Sequence, residues 1–184
     1  MMEKISWLEK FYNKTETRIM DRLVNQDSPG PVFKWLFKIP VLQYKLGLGW
    51  MIGRHILLLT TTGRKSGKPR LTPLEYVYDR ENDRYRIAAG WGGHTDWFRN
   101  LLKDPNVTVQ VGWRKFNAIA ERACDEEVAQ YMMHVSERHA EMDKVWNRWS
   151  DRPLDGTFES YVHAAKFFPS VWLKPLQEPG LNSQ

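Results

Sequence analysis

The sequence predicts an α+β protein, mainly β, built as a small antiparallel barrel with appended helices. Three observations lead there. Residues 55–78 read as strand, tight turn and strand. Two further extended pairs follow, each joined by a short polar or glycine turn. Helical spacing is confined to the connections and to the two ends of the β-rich region, a pattern that argues against a doubly wound parallel sheet.

The elements follow in chain order. Residues 5–25 carry Ile5, Leu8, Phe11, Tyr12, Ile19 and Leu23 on one face, which predicts a helix within an N-terminal arm, 1–31, that ends at Ser28-Pro29-Gly30-Pro31. Residues 32–54 interleave Val, Leu, Phe and Trp with Lys34, Lys38, Lys45 and Arg54. That mixture suits a lid over a pocket, and equally a segment lying on a membrane surface. Pro40 is expected to kink or end a helix there. His55 to Thr62 is a strand rich in Leu and Thr. The turn Gly63-Arg64-Lys65-Ser66-Gly67-Lys68-Pro69-Arg70 gathers four cations between and beyond two glycines. Its backbone N–H groups and cations suit a phosphate or carboxylate, and mutual repulsion among the cations favours a bound anion. The plain alternative is a solvated hairpin tip.

Leu71 to Tyr78 gives a second strand, Asp79 to Asp83 a polar turn, and Arg84 to Ala89 a third strand. Gly90-Trp91-Gly92-Gly93-His94 is too glycine-rich for a sheet. Thr95 or Asp96 is placed to cap a short helix over Trp97–Lys103, which Asp104-Pro105 ends. Val107, Val109 and Val111 alternate, Gly112-Trp113 turns the chain, and 115–122 runs back. The acidic run Asp125-Glu126-Glu127 opens a long helix over 125–149. A short helix over 157–168 and a last strand over 171–174 complete the domain, 32–176, and 177–184 reads as a flexible tail.

Composition narrows the function. Hydrophobic residues make up 42% of 184, and nine tryptophans suggest broad flat surfaces in or beside a pocket. A net charge of +5 calls for an anionic partner. The basic residues concentrate in one turn rather than along a groove, which speaks against nucleic acid. One cysteine, Cys124, leaves no internal disulfide. With no signal-like or membrane-spanning run, the chain reads as cytoplasmic, with a peripheral place at the inner face of the membrane as an option. His134 and His139 stand five apart, about 140° from each other on a helix, so they do not form a metal pair. The sequence has no HExxH, GxSxG or GxGxxG pattern. No catalytic residue is assigned and no metal is expected. An enzyme of this kind takes its reactivity from a bound cofactor.

Two stretches, LLLTTTGRKSGKPRLTPL and AAGWGGHTDWFRNLLKDPNVTVQV, resemble the deazaflavin-dependent nitroreductase family, and the likeness covers roughly residues 35–122 and the final strand. The resemblance implies a split antiparallel β-barrel of the FMN-binding, pyridoxamine-phosphate-oxidase-like type. It implies coenzyme F420, with FMN as the alternative, and hydride transfer to a quinone, nitroaromatic or other lipophilic acceptor. On this likeness Arg64, Lys65 and Ser66 meet the coenzyme's phosphate or acidic tail. Arg70, Leu71, Thr72, Pro73 and Leu74 lead under the ring, Ala88 and Ala89 face it from a strand end, and Gly90, Trp91, Trp97 and Asn100 complete the set. The sequence departs from the family in three places. Gly90-Trp91 replaces a Ser-Lys pair, Glu75 replaces a tyrosine, and the family's late run of tyrosines has no match. A non-catalytic carrier of an anionic lipid or cofactor is the alternative from another class, and oligomerisation is left open.

Overall fold

The computed structural model describes residues 38–89 and 93–176. The arm 1–31, the start of the lid segment, Gly90, Trp91 and the tail 177–184 lie outside the described residues. Seven strands form one antiparallel sheet: β1 Ile56–Thr62, β2 Pro69–Glu75, β3 Val77–Asp79, β4 Arg84–Ala88, β5 Asn106–Val111, β6 Arg114–Arg122 and β7 Ser170–Pro175. Their order across the sheet is β2-β1-β5-β6-β7-β4-β3. The sheet curls into the split antiparallel barrel expected of the sequence, with β2 approaching β4 across the opening.

Period-2 alternation builds the barrel core. Leu57 and Leu59 of β1, Tyr85 and Ile87 of β4, Val107 and Val109 of β5, Ala118 of β6, and Val171 and Leu173 of β7 form one buried cluster. Helix α3, Asp96–Lys103, adds Trp97, Phe98 and Leu101 to it. The expected cap of α3 does not form. Thr95 has the extended backbone of a capping residue, yet its side chain makes no cap bond, and its buried Oγ1 has no partner among the described residues.

The opposite sheet face carries a helical layer. The stretch 125–149, expected as one helix, is two: α4 Asp125–Arg138 and α5 Met142–Trp149. His139 leaves the helical region (φ −142°, ψ 75°) while its N–H still closes α4 on the Val135 carbonyl. The break lets Trp146 of α5 turn back onto Tyr161 of α6, Phe158–Ala165, at 6.2 Å. Apolar spacing continues across the break, so the pattern did not reveal it.

Two arginines join this layer to the sheet. Arg86 is 7% exposed, with its guanidinium 3.5 Å from the ring centroid of Tyr131 on α4. Arg84 lies 3.7 Å over Trp172, whose Nε1 donates to Glu127 at 3.1 Å. Burial raises the Glu127 carboxyl, but the bonds from Trp172 and Cys124 and the charge of Arg84 outweigh it and hold the group below its ordinary value.

Ahead of β1 stand α1 Lys38–Lys45 and α2 Gly49–Ile52. Pro40 lies within α1 and does not end it. This segment is stapled to the barrel. The Tyr44 hydroxyl donates to Ile56 O at 2.5 Å, and that of Tyr76 to Gly53 O at 2.6 Å. Burial, followed by the neighbouring phenols of Tyr85 and Tyr44, pushes Tyr76 up to about 12. A Cβ at Gly53 would fall 2.3 Å from the Gly112 nitrogen, so only glycine permits this approach. Among the described residues no helix is long and apolar enough to cross a membrane.

Candidate coenzyme site

The turn between β1 and β2 is a closed structure. Gly63 N–H donates to Lys68 O, Ser66 and Gly67 N–H both reach Gly63 O, and Lys68 N–H reaches Ser66 Oγ. Gly67 has a positive φ of 67°. Gly63 is needed for a different reason: a Cβ there would meet Ser66 Oγ at 2.8 Å and Lys68 O at 3.0 Å.

From α3, Asn100 reaches across to this turn. It is 3% exposed. Its Oδ1 accepts from Arg64 N–H at 3.1 Å and from Arg64 Nη1 at 3.2 Å, and its Nδ2 donates to Thr61 Oγ1 at 3.0 Å. Arg64 is also paired with Asp96 at 2.8 Å, and its carbonyl accepts from Lys103 Nζ at 2.9 Å.

These bonds change the reading of the turn. Five of the six N–H groups from Gly63 to Lys68 are taken within the protein, so a backbone cradle for an anion is not available. Arg64 is occupied by Asp96 and Asn100. Lys65, Lys68 and Arg70 are exposed and have no carboxylate partner among the described residues; Arg70 has only a 3.5 Å contact with Ser66 Oγ. Anion binding therefore falls to side chains.

These residues line a cleft of about 490 Å³, walled by Gly63, Arg64, Lys65, Ser66, Arg70 and Leu71, with Thr72, Asp96, Trp97 and Asn100 completing it. Eight expected coenzyme residues meet here: Arg64, Lys65, Ser66, Arg70, Leu71, Thr72, Trp97 and Asn100. Trp97 serves two purposes, since it is buried in the barrel core, edge-on to Phe98 at 5.8 Å, and also lines the cleft. Pro73, Leu74, Ala88 and Ala89 do not line it. Pro73 is buried in β2 opposite Leu58, and Leu74 packs against the core. Ala88 pairs with Ser170, and Ala89 N–H is bound to Pro169 O at 2.9 Å. Asp96, which sequence reasoning weighed only as a helix cap, is a wall of the cleft and the partner of Arg64. Its signal was its place at the start of α3, but its pairing with a residue 32 positions away was not legible.

The cleft fits a polyanionic flavin-like coenzyme. Lys65 and Arg70, with no carboxylate partner among the described residues, line it and suit acidic groups, and Leu71 and Trp97 supply an apolar wall for a flat ring. A second concavity of about 360 Å³, around Thr60, Thr108, Asn117 and Leu176, has no charged side chain in its lining and does not suit an anion of this kind.

Comparison with known proteins places the chain in a family. The family model for F420H2-dependent quinone reductases matches residues 42–155. An F420H2-dependent quinone reductase of Mycobacterium tuberculosis is 34% identical over 103 residues, 53% of this chain and 68% of that protein. Among solved structures, that of an F420H2-dependent reductase aligns over 66% of this chain and 95% of its own, at 28% identity and a TM-score of 0.46. The chain belongs to the F420H2-dependent quinone reductase family, and is thus a deazaflavin-dependent oxidoreductase whose coenzyme is F420.

Proposed function

We propose that the protein passes a hydride from reduced F420 to a quinone. Reduced F420 supplies the hydride, and the quinone gains it together with a proton to become a hydroquinone. The observation that carries this reading is the charge of the turn: Lys65 and Arg70 line the cleft with no carboxylate partner among the described residues, Lys68 is exposed on the same turn, and the cleft's third cation, Arg64, is already paired with Asp96.

The residues divide the work. Lys65 and Arg70 hold the coenzyme's phosphate and acidic tail, with the Ser66 hydroxyl beside them. Leu71, Thr72 and Trp97 form a wall that keeps water from one side of the ring. Asn100 and Asp96 fix the turn. The side chains of the cleft include no nucleophile with an adjacent base, so their part is to bind and orient. Lipophilic quinones reside in membranes, so the reading carries with it a peripheral membrane contact. Nitroaromatics are secondary acceptors on this reading, because the family's late tyrosine run, tied to substrate contact, has no match in this sequence.

The test is anaerobic oxidation of reduced F420 with a water-soluble naphthoquinone, followed by the returning absorbance of the oxidised coenzyme. Turnover with F420 and none with reduced FMN is expected. Turnover with FMN alone would support the flavin alternative. Tight coenzyme binding without turnover of any quinone would support a carrier.

A further inference from the structure

The segment 38–54 does not wall the cleft. None of its residues lines it, and it lies at the other end of β1. Strand β1 has seven residues, so the basic turn at its far end is about 20 Å away. The staples through Tyr44, Tyr76, Gly49 and Gly53 fix one side of the segment to the barrel.

The other side is apolar and open. Ile39 and Leu42 of α1, and Leu46 just past its end, follow helical spacing, and Leu46 is 65% exposed. Leu48, Trp50 and Met51 continue the surface onto α2. The β5–β6 turn adds Trp113, 72% exposed and stacked on Trp50 at 6.3 Å with 10° between the ring planes. Two exposed indoles lying parallel bury little in the core. Their flat amphipathic rings suit the boundary between headgroups and acyl chains.

Charge names the partner. From Lys38 to Leu74 the chain has no acidic residue. Lys45, Arg54, Arg114 and Lys115 are exposed at or beside the patch. The carboxylates at this end are Glu75, opposite Ile56, Asp83, which lies 3.9 Å from Arg114, and Glu81, which shares the β3–β4 turn with Asp83 and Arg80; Asp79 is already paired with Arg84. Five cations, Arg80 included, against these three carboxylates leave the rim positive.

We propose that this surface, centred on Trp50 and Trp113 with Leu42, Leu46 and Met51, docks on an anionic lipid bilayer. The indoles and leucines enter the interface, and the lysines and arginines meet the headgroups. The basic turn then stays about 20 Å along β1, free to take a water-soluble coenzyme. The surface deepens the quinone reading, since it brings the protein to a lipophilic acceptor, but the binding it predicts needs neither coenzyme nor acceptor.

The experiment is sedimentation of the full-length protein with vesicles of phosphatidylcholine alone or with phosphatidylglycerol, with no F420 present. Anionic vesicles are expected to bind at least tenfold more protein, and less as salt rises. The double substitution Trp50→Ser with Trp113→Ser is expected to lose that binding tenfold or more while thermal unfolding and F420 affinity stay as in wild type. Equal binding to both vesicle types, or undiminished binding by the double variant, overturns the proposal. So does self-association of the wild type that the double variant abolishes without any vesicle binding, which would make the occupant a second copy. If Trp50→Ser with Trp113→Ser unfolds, Leu46→Ser with Met51→Ser replaces it under the same criteria.

Discussion

Asn100 separates two ways of building the coenzyme site. It lines the cleft, but its amide is spent on the protein: Oδ1 takes two bonds from Arg64, and Nδ2 gives one to Thr61. Replacement by alanine strips the partner from Arg64 N–H and from the hydroxyl of Thr61, which is 1% exposed. An unsatisfied buried polar group costs about 1–3 kcal/mol. Arg64 is partly open to water, so its share falls at the low end, and Asn100→Ala should cost roughly 2–4 kcal/mol of folding stability. Coenzyme affinity should fall in parallel, because the turn that carries Lys65 loses its anchor. Asn100→Asp is the conservative control: a carboxylate still accepts from Arg64, and the Thr61 hydroxyl can rotate to donate to it. Its stability should stay closer to wild type than that of Asn100→Ala, while the added negative charge in the cleft lowers affinity for an anionic coenzyme. Urea unfolding gives the first quantity, and titration of intrinsic fluorescence with F420 gives the second. If Asn100→Ala loses more than tenfold in affinity with no loss of stability, Asn100 is a direct ligand, and its assignment here as an anchor of the turn is wrong.

Further outcomes are expected. Lys65→Ala with Arg70→Ala should weaken F420 binding and flatten its salt dependence while leaving FMN, which lacks the acidic tail, less affected; equal losses for both would refute the assignment of these cations to the tail. Gly63→Ala should cost about 1–3 kcal/mol, because the backbone carbonyl of Lys68 must give way at 3.0 Å, whereas Gly67→Ala should cost about 1–2 kcal/mol through its left-handed backbone alone. Calorimetry of both would contradict this if the Gly63 change proved neutral. Glu127, held below its ordinary carboxylate value, contributes stability that is complete above the unfolded-state value near 4.5 and is lost as pH falls through the depressed one. Melting temperature should therefore drop less steeply from pH 5 to pH 3 in Glu127→Gln than in wild type, and parallel curves would remove Glu127 from acid unfolding.

The strands were legible because their signals are local. Valines 107, 109 and 111 alternate, and Gly112 marks the turn that follows. The basic turn was legible as a turn. What escaped was everything set by partners far along the chain. Asn100 lies 36 residues from Arg64, and nothing near Gly63 in the sequence says that the amides there are already taken. The same distance hid the pairing of Arg64 with Asp96. Arg86 read as one residue of a third strand; only the packing of α4 shows it buried beneath Tyr131. The apolar run 32–54 supported two readings because composition does not say which side of a segment meets the barrel. Tyr44, Gly49 and Gly53 answer that question for its described part, and they do so through contacts with Ile56 and Gly112.

Closure of the turn on itself has an electrostatic consequence. Four free cations within seven residues would repel one another and spread, and a ligand would have to draw them together. Here the pairing of Arg64 with Asp96 removes one charge, and the Asn100 and Lys103 bonds hold the backbone that carries the next. On the proposed reading a coenzyme tail meets Lys65 and Arg70 on a backbone that is already ordered, and it forfeits less entropy in binding than it would on a loose loop. Exposure sets the opposite limit: charges open to water are screened by salt, so this part of the affinity is modest and sensitive to ionic strength. On that reading the remainder must come from the apolar wall of exposed Leu71 and buried Trp97, which salt does not weaken. On the proposed reading a site divided in this way holds the polar tail by charge and the ring by contact, and the two contributions can be lost one at a time.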